Sequence, residues 1–398
     1  MLSLAARPYI DASVPVLREH GLTITTVFYN NMFEAHPELK NIFNMSNQAN
    51  GSQQQALASA VFAYAANIDN AQALAPVIEH IVHKHVSIGV KPSHYPIVGK
   101  FLLGAIQEVL GDAATPALIA AWDEAYGLLA DALITAEENL YKQTGREADS
   151  WEQMRVVKTE QQGTDVVAIT LKPVNNTTVP AFNPGQYVSV AMHIDGLGLR
   201  QIRQYSLSDA PGKGTLRISV KREKGDEFRP DGKVSNKLHD EASLSAIFQV
   251  SNPYGNFTPE ITANKPIALI SAGVGVTPMI SILNTIAEKN PSRPVLFAHA
   301  ARSKQHLAHA QDVKLAETTM PDLRSVLFLN ESDDDNSDAI TGKMNLSDFV
   351  EDYKDADFYL CGPQGFMNDQ WKALLEMGVN PNRMNREVFG PDSLNHLI

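Results

Sequence analysis

Residues 79–90 read EHIVHKHVSIGV and place three histidines in six positions, His80, His83 and His85. Three imidazoles can share one metal ion only if they point the same way. The surrounding stretch has apolar residues at helical spacing, and at about 100° per residue one face collects positions 74, 78, 81, 82, 85, 86 and 89. These are Leu74, Ile78, Ile81, Val82, His85, Val86 and Gly89, so His85 is the one polar member of an apolar stripe. His80 and His83 fall on the polar face with Glu79 and Lys84. The three histidines therefore cannot converge while the segment is helical. A single inward histidine is either a hydrogen-bonded core residue or an axial ligand, and helical phase leaves both open.

A second chemical signal is LISAGVGVTPM, residues 269–279. A buried strand runs into Gly273-Val274-Gly275-Val276, and Thr277 and Pro278 fall where a helix N-cap and first helical residue belong. Glycines without side chains let a pyrophosphate approach the backbone, and a helix start offers free N–H donors and a positive dipole end. The stretch ends in Thr-Pro where the common dinucleotide fingerprint has a third glycine. The single cysteine, Cys361, excludes an intramolecular disulfide framework and any cysteine-rich zinc site. A net charge of −12 argues against nucleic acid and anionic membranes, both of which need cationic surface. Small molecules, cofactors and neutral or basic proteins remain as partners.

Three segments with different grammar must position these groups. Residues 1–148 are helical throughout, with six or seven helices. Residues 149–260 change to short β-type runs separated by Gly, Pro, Asn and Asp, which predicts a small antiparallel barrel. Residues 261–398 alternate strands and helices, which predicts a doubly wound parallel sheet. The acidic stretch ESDDDNSD at 331–338 lacks the glycine and spacing of a calcium loop and reads as solvated. No apolar run spans a membrane, and the N-terminus has no signal-peptide stretch, so a cytoplasmic protein is expected.

The glycine turn resembles the nicotinamide-binding motif of the ferredoxin–NADP reductase superfamily. That resemblance asks for an upstream R-x-Y-S flavin motif in the barrel and a downstream C-G-P after a strand. Arg203-Gln204-Tyr205-Ser206 and Cys361-Gly362-Pro363 supply them in the right order. The resemblance implies that Arg203 pairs with flavin pyrophosphate, which suits a bidentate guanidinium. It implies that Tyr205 and Ser206 meet the flavin ring, with Gln204 between Arg203 and Tyr205. Tyr187 would border the flavin, and the turn from Gly232 to Asn236, including Ser235, would bind phosphate. It also places Cys361 and Gly362 beside the nicotinamide, and Phe389 of Val388-Phe389-Gly390-Pro391 over the flavin. Arg302 and Lys304 would meet the adenosine ribose, favouring NADPH slightly over NADH.

The helical segment resembles a bacterial globin through Phe28-Tyr29 in the second helix and PELKNIFNMSNQANGSQQQAL. Phe43 matches the phenylalanine that wedges against haem, and Gln53 and Leu57 match the distal pair. His85 falls at the proximal ligand, where one axial histidine suits haem iron. The combination with the reductase motifs resembles the flavohaemoglobins over essentially the whole chain. The family implies Tyr29 as a distal hydrogen-bond donor and a proximal pair, Tyr95 and Glu137. A carboxylate accepting from the histidine gives the ligand more anionic character. The stripe Trp122, Tyr126, Leu129, Leu133, Ala136 continues to Glu137 or Leu140 and not to Glu138. The implied activity is nitric oxide dioxygenation by a monomer holding haem b and FAD and using NADH or NADPH, with O2 and NO giving nitrate. A gas carrier or sensor kept ferrous by its reductase, and a flavin-dependent reductase of ferric chelates or proteins, are the rival expectations.

Overall fold

The computed structural model describes residues 2–175, 177–225, 230–331 and 339–390. Pro391 and most of the acidic stretch, 332–338, lie outside the described residues. The chain divides into two units, Met1–Ser150 with Ala191–Arg203 and Gly390–Ile398, and Trp151–Val190 with Gln204–Phe389.

The first unit carries α1 (Arg7–Ala35), α2 (Met45–Ala49), α3 (Ser52–Ala66), α4 (Ala71–Ile88), α5 (His94–Leu110) and α6 (Pro116–Thr144). Its core comes from the apolar stripes of four helices. Ile10, Ile24, Phe28 and Met32 of α1 meet Phe62 of α3, Leu102 and Ile106 of α5, and Trp122 of α6. Each such fully buried side chain contributes roughly 1.5–3 kcal/mol. The expected second helix is not separate, because Tyr29 sits on one continuous helix of 29 residues that runs through Pro15. A proline removes one backbone bond and crowds the preceding turn. Packing of α1 along α3 and α5 holds the helix through that defect.

Six strands form the antiparallel sheet: β1 (Glu152–Gln162), β2 (Val166–Pro173), β3 (Tyr187–Ile194), β4 (Leu199–Ser206), β5 (Leu216–Lys221) and β6 (Ile247–Val250). Their order is β4-β3-β6-β1-β2-β5, and an antiparallel bridge from Leu207, just past β4, to Ile218 of β5 closes the ends. A short helix, α7 (Lys233–Glu241), interrupts the strands.

The second sheet is parallel in its registers, with order β10-β9-β8-β7-β11-β12. Its strands are β7 (Ile267–Ala272), β8 (Val295–Ala301), β9 (Leu323–Leu329), β10 (Ile340–Thr341), β11 (Asp357–Cys361) and β12 (Met384–Glu387). The helices α8 (Val276–Lys289), α9 (Ala310–Thr319), α10 (Ser347–Val350) and α11 (Gln364–Glu376) alternate with them. Both faces of β7 are buried, which is why ALISA reads as a continuous apolar run. Among the described residues no helix is long and apolar enough to cross a membrane.

Candidate functional site

His85 stands in the last turn of α4, which ends at Gly89 in the left-handed region, φ 81°. That glycine lets Val90 N–H return to the His85 carbonyl at 3.0 Å, fixing the backbone under the histidine. His85 Nδ1 lies 2.7 Å from Glu137 Oε1 and 3.1 Å from Tyr95 Oη. Tyr95 donates to the same carboxylate oxygen at 2.5 Å. A carboxylate can only accept, so Nδ1 carries the proton and Nε2 keeps its lone pair. Glu137 is 2% exposed, whereas Glu138 faces solvent beside Lys142.

Burial, with the neighbouring Glu137 carboxylate adding to it, pushes the Tyr95 phenol well above its ordinary range. Tyr95 is held in turn from α6, since Tyr126 Oη donates to its carbonyl at 2.6 Å. Gly99 permits this, because a Cβ there would lie 2.5 Å from the Tyr126 ring.

Among the described residues no group of three His, Cys, Asp or Glu side chains could hold a metal ion. The histidine trio does not converge, as helical phase requires. The polar face of α4 is drier than the periodicity predicts: His80 and His83 are half-buried, and burial pulls the His83 pKa down.

Tyr29 is 3% exposed on α1, with its ring 4.7 Å from Phe28, 5.7 Å from Phe33 and 5.7 Å from Phe43. Burial drives its pKa far above the ordinary phenol value, offset in part by the Gln53 and Gln48 side chains against its hydroxyl. Gln53 and Leu57 share one face of α3 and are both half-buried. Gln48, on α2, is a residue that sequence reasoning missed. Its Nε2 is buried and makes no hydrogen bond among the described residues, and the same holds for Gln54 Oε1. Nothing in the largely polar run MSNQANGSQQQ distinguishes it.

Along β4, Arg203, Gln204 and Tyr205 are half-buried and Ser206 is 5% exposed. Arg203 Nη1 donates to the carbonyl of Ile202 at 2.8 Å, and Nη2 to Ser46 Oγ at 3.3 Å. Tyr187 is buried at the start of β3, where Gly255 at φ 116° clears its ring. Gly232 forms the N-cap of α7 without a side-chain cap, so backbone donors stand at that helix start. The Ser235 hydroxyl is engaged inside the turn. It donates to the Gly232 carbonyl at 3.1 Å and accepts from Glu223 N–H at 3.2 Å.

The glycine turn of the parallel sheet forms a single 3-10 turn, Gly273–Gly275, and α8 follows directly at Val276. The helix starts two residues before the expected Thr277 N-cap, with Gly275 in that role. Pro278 is accommodated because the first N–H groups of a helix have no internal partner. The Thr277 hydroxyl donates back to the Val274 carbonyl at 3.0 Å. A Cβ on Gly275 would sit 2.3 Å from the Cys361 carbonyl oxygen, so the glycine brings the Cys361-Gly362 loop onto the turn. Cys361 is fully buried, and burial together with Glu387 pushes its thiol well up. Glu387, 6% exposed and in register with Cys361 across β11 and β12, is a buried acid that sequence reasoning missed. Arg302 and Lys304 are exposed, Val388 is half-buried, and Phe389 is 44% exposed, unlike a core aromatic. Gly390, at φ 123°, accepts from Lys84 Nζ at 2.8 Å.

Three family models match in the order of the three sequence segments. They are Globin over residues 26–133, Oxidoreductase FAD-binding domain over 153–258 and Oxidoreductase NAD-binding domain over 269–372. A curated Flavohemoprotein of Rhizobium meliloti is 46% identical, with 98% of this chain and 99% of that protein aligned. The chain belongs to the flavohemoprotein family. A second relative of this flavohemoprotein, from Bacillus subtilis, is 42% identical over 96% of each chain. The crystal structure of a flavohemoglobin from Malassezia yamatoensis, with bound FAD and heme, matches with a TM-score of 0.87 at 31% identity. It covers 98% of this flavohemoprotein and 100% of that chain. The FAD/NAD binding domain of a nitric oxide dioxygenase from Vibrio cholerae matches with a TM-score of 0.56 at 35% identity, covering 60% of this chain and 99% of that one.

Proposed function

We propose that this flavohemoprotein is a nitric oxide dioxygenase that uses NADH or NADPH, FAD and haem b. The carrying observation is the His85 imidazole, whose Nδ1–H is held by Glu137 and Tyr95 so that the Nε2 lone pair is left for a metal. This donor set fits haem iron, since one imidazole of fixed tautomer on an otherwise apolar helix face suits a single axial bond. The glycine turn suits a dinucleotide pyrophosphate, because Gly273 and Gly275 carry no side chains and the turn leads directly into the start of α8.

When bound, haem supplies the iron at which O2 meets NO to give nitrate, and FAD divides the hydride of the nicotinamide into single electrons. The protein's share is orientation and electrostatics. Glu137 and Tyr95 hold the proton at His85 Nδ1 and aim the ring. Tyr29, raised far above its ordinary pKa, stays protonated and serves as a hydrogen-bond donor on the distal side, with Gln53 beside it. Phe43 and Leu57 wall the pocket. Arg203, Tyr205, Ser206 and Tyr187, with the turn at Ser235, hold FAD, while Gln204 spaces the motif. Gly273 to Pro278, Arg302, Cys361 and Gly362 hold the nicotinamide nucleotide, and the Val388–Pro391 segment carries Phe389 to the flavin. The partners are small molecules, and the chain acts as a monomer in the cytoplasm.

The test is an ultraviolet–visible spectrum of the purified protein before and after NADH under CO, followed by NO consumption in air. A Soret band, a ferrous–CO spectrum and stoichiometric nitrate are expected. Loss of O2 and NO without nitrate would sink the dioxygenase reading.

A further inference from the structure

Gln201 is a buried amide, 1% exposed, two residues before Arg203 on β4. It belongs to the first unit, and there its side chain is spent on the turn that follows α1. Nε2 donates to the Lys40 carbonyl at 2.9 Å and to the Phe43 carbonyl at 3.4 Å, and Oε1 accepts from Met45 N–H at 3.2 Å. Its neighbour reinforces this contact, since Arg200 N–H donates to Asn41 Oδ1 at 2.8 Å.

The turn so held is the one that shapes the distal side. It carries Phe43, whose ring lies 5.3 Å from Phe33 as well as against Tyr29. It ends in Asn44, whose Oδ1 caps α2 through Ser46 N–H and Asn47 N–H, and α2 carries Gln48. A buried amide that lost these partners would leave polar groups unpaired, so the contact enforces one geometry. The mechanism assigns Gln201 no part, because it touches neither flavin motif nor histidine.

We propose that Gln201 is a positioning residue for electron delivery: it locks the Phe43 turn to the strand that carries Arg203. Haem reduction then depends on it while haem binding, flavin binding and flavin reduction do not. The inference rests on the dioxygenase reading, in which FAD sits at Arg203 and haem against Phe43. The step at issue is transfer of one electron from reduced flavin to ferric haem iron, with NADH as the reductant that supplies a hydride to the flavin.

The experiment uses the full-length protein loaded with haem and FAD, as wild type and as Gln201→Leu, which keeps the volume and removes the bonds. Stopped-flow mixing with NADH under CO reads flavin bleaching and formation of the ferrous–CO band separately. Gln201→Leu is expected to keep haem and FAD content and to bleach flavin within about twofold of wild type, while haem reduction slows about tenfold or more, as a misplaced donor or acceptor would. The C–O stretch of the CO adduct, which needs no turnover, is expected to broaden or split as the Phe43 turn gains a second position. Haem reduction within twofold of wild type overturns the inference. So does a parallel slowing of flavin bleaching or loss of haem, since either marks general damage. If Gln201→Leu does not fold, Asn41→Ala decides: slower haem reduction at unchanged flavin bleaching supports the clamp, and no split overturns it. A wild-type protein that reduces flavin but never haem overturns the dioxygenase reading, and with it this inference, by a different signature.

Discussion

The proximal and distal sides of the helical unit differ in whether their buried donors are committed. On the proximal side His85, Tyr95 and Glu137 bond to one another, and two donors converge on Glu137 Oε1, while Glu137 Oε2 is an acceptor without a donor among the described residues. On the distal side the Tyr29 hydroxyl has two glutamine side chains against it, and one of these, Gln48, keeps a buried N–H without an acceptor. Completed bonds fix an orientation before any ligand arrives. Uncommitted donors in a dry pocket are costly in the bare protein and become useful when an anionic or dipolar ligand arrives. The difference teaches that one side is built to hold still and the other to receive.

The largest expected effect removes the held group itself. His85→Ala should abolish the Soret band of the purified protein while the flavin spectrum persists, and a retained Soret band would show that the completed bonds serve the core alone. Next, Tyr29→Phe removes the distal hydroxyl without changing ring packing. O2 release, read by displacement with CO, should speed by about 10–100-fold, as loss of a bond to a charge-bearing acceptor implies. A change under twofold would mean that Gln53 or Gln48, not Tyr29, is the receiving donor. Glu137→Gln keeps the shape and removes the charge. About a tenfold loss of NO turnover is expected, with a lower iron–histidine stretching frequency in the resonance Raman spectrum, because partners behind a ligand typically count for that much. An unchanged frequency would break the claim that the proximal bonds tune the ligand.

The smallest effect on function tests an open nitrogen away from both pockets. His299, 3% exposed on β8, bonds Ser271 through Nδ1 and has no partner at Nε2 among the described residues. Burial, helped by nearby His309, lowers its pKa from 6.5 to about 4. The unfolded chain therefore binds more protons than the folded one between those values. Stability is full above about pH 6.5 and falls as the pH drops towards 4, by roughly 2 kcal/mol at pH 5 relative to pH 7. Urea melts of the wild type and His299→Asn should show that dependence shrinking in the variant, with NADH-dependent flavin reduction at pH 7 little changed.

Much of this was legible in local pattern. Helical phase set His85 apart from His80 and His83, but all three are half-buried, and it is the bond to Glu137 that distinguishes His85; the α6 stripe did separate buried Glu137 from exposed Glu138, as a 3.6-residue period requires. The short β-type runs of residues 149–260 became β1 to β6, and the glycine turn fell between β7 and α8. Local pattern failed where distant packing decided. The continuity of α1 through Pro15 depends on α3 and α5. The early start of α8 follows from Gly273–Gly275 coiling directly into the helix, a backbone choice that Thr277 and Pro278 do not announce.

By itself, the sequence determined the order of the three segments and the helical phase of the histidine, while the ligands were implied by the resemblance that its motifs carry. Those properties belong to periodicity and residue chemistry within a few turns of chain. Tertiary structure alone decided which polar atoms are paired and which stay open. Glu137 reaches His85 across 52 residues, and Gln201 reaches Phe43 across 158. No periodicity records such partners, because a hydrogen bond is set by where two backbones pass in space and not by their separation along the chain.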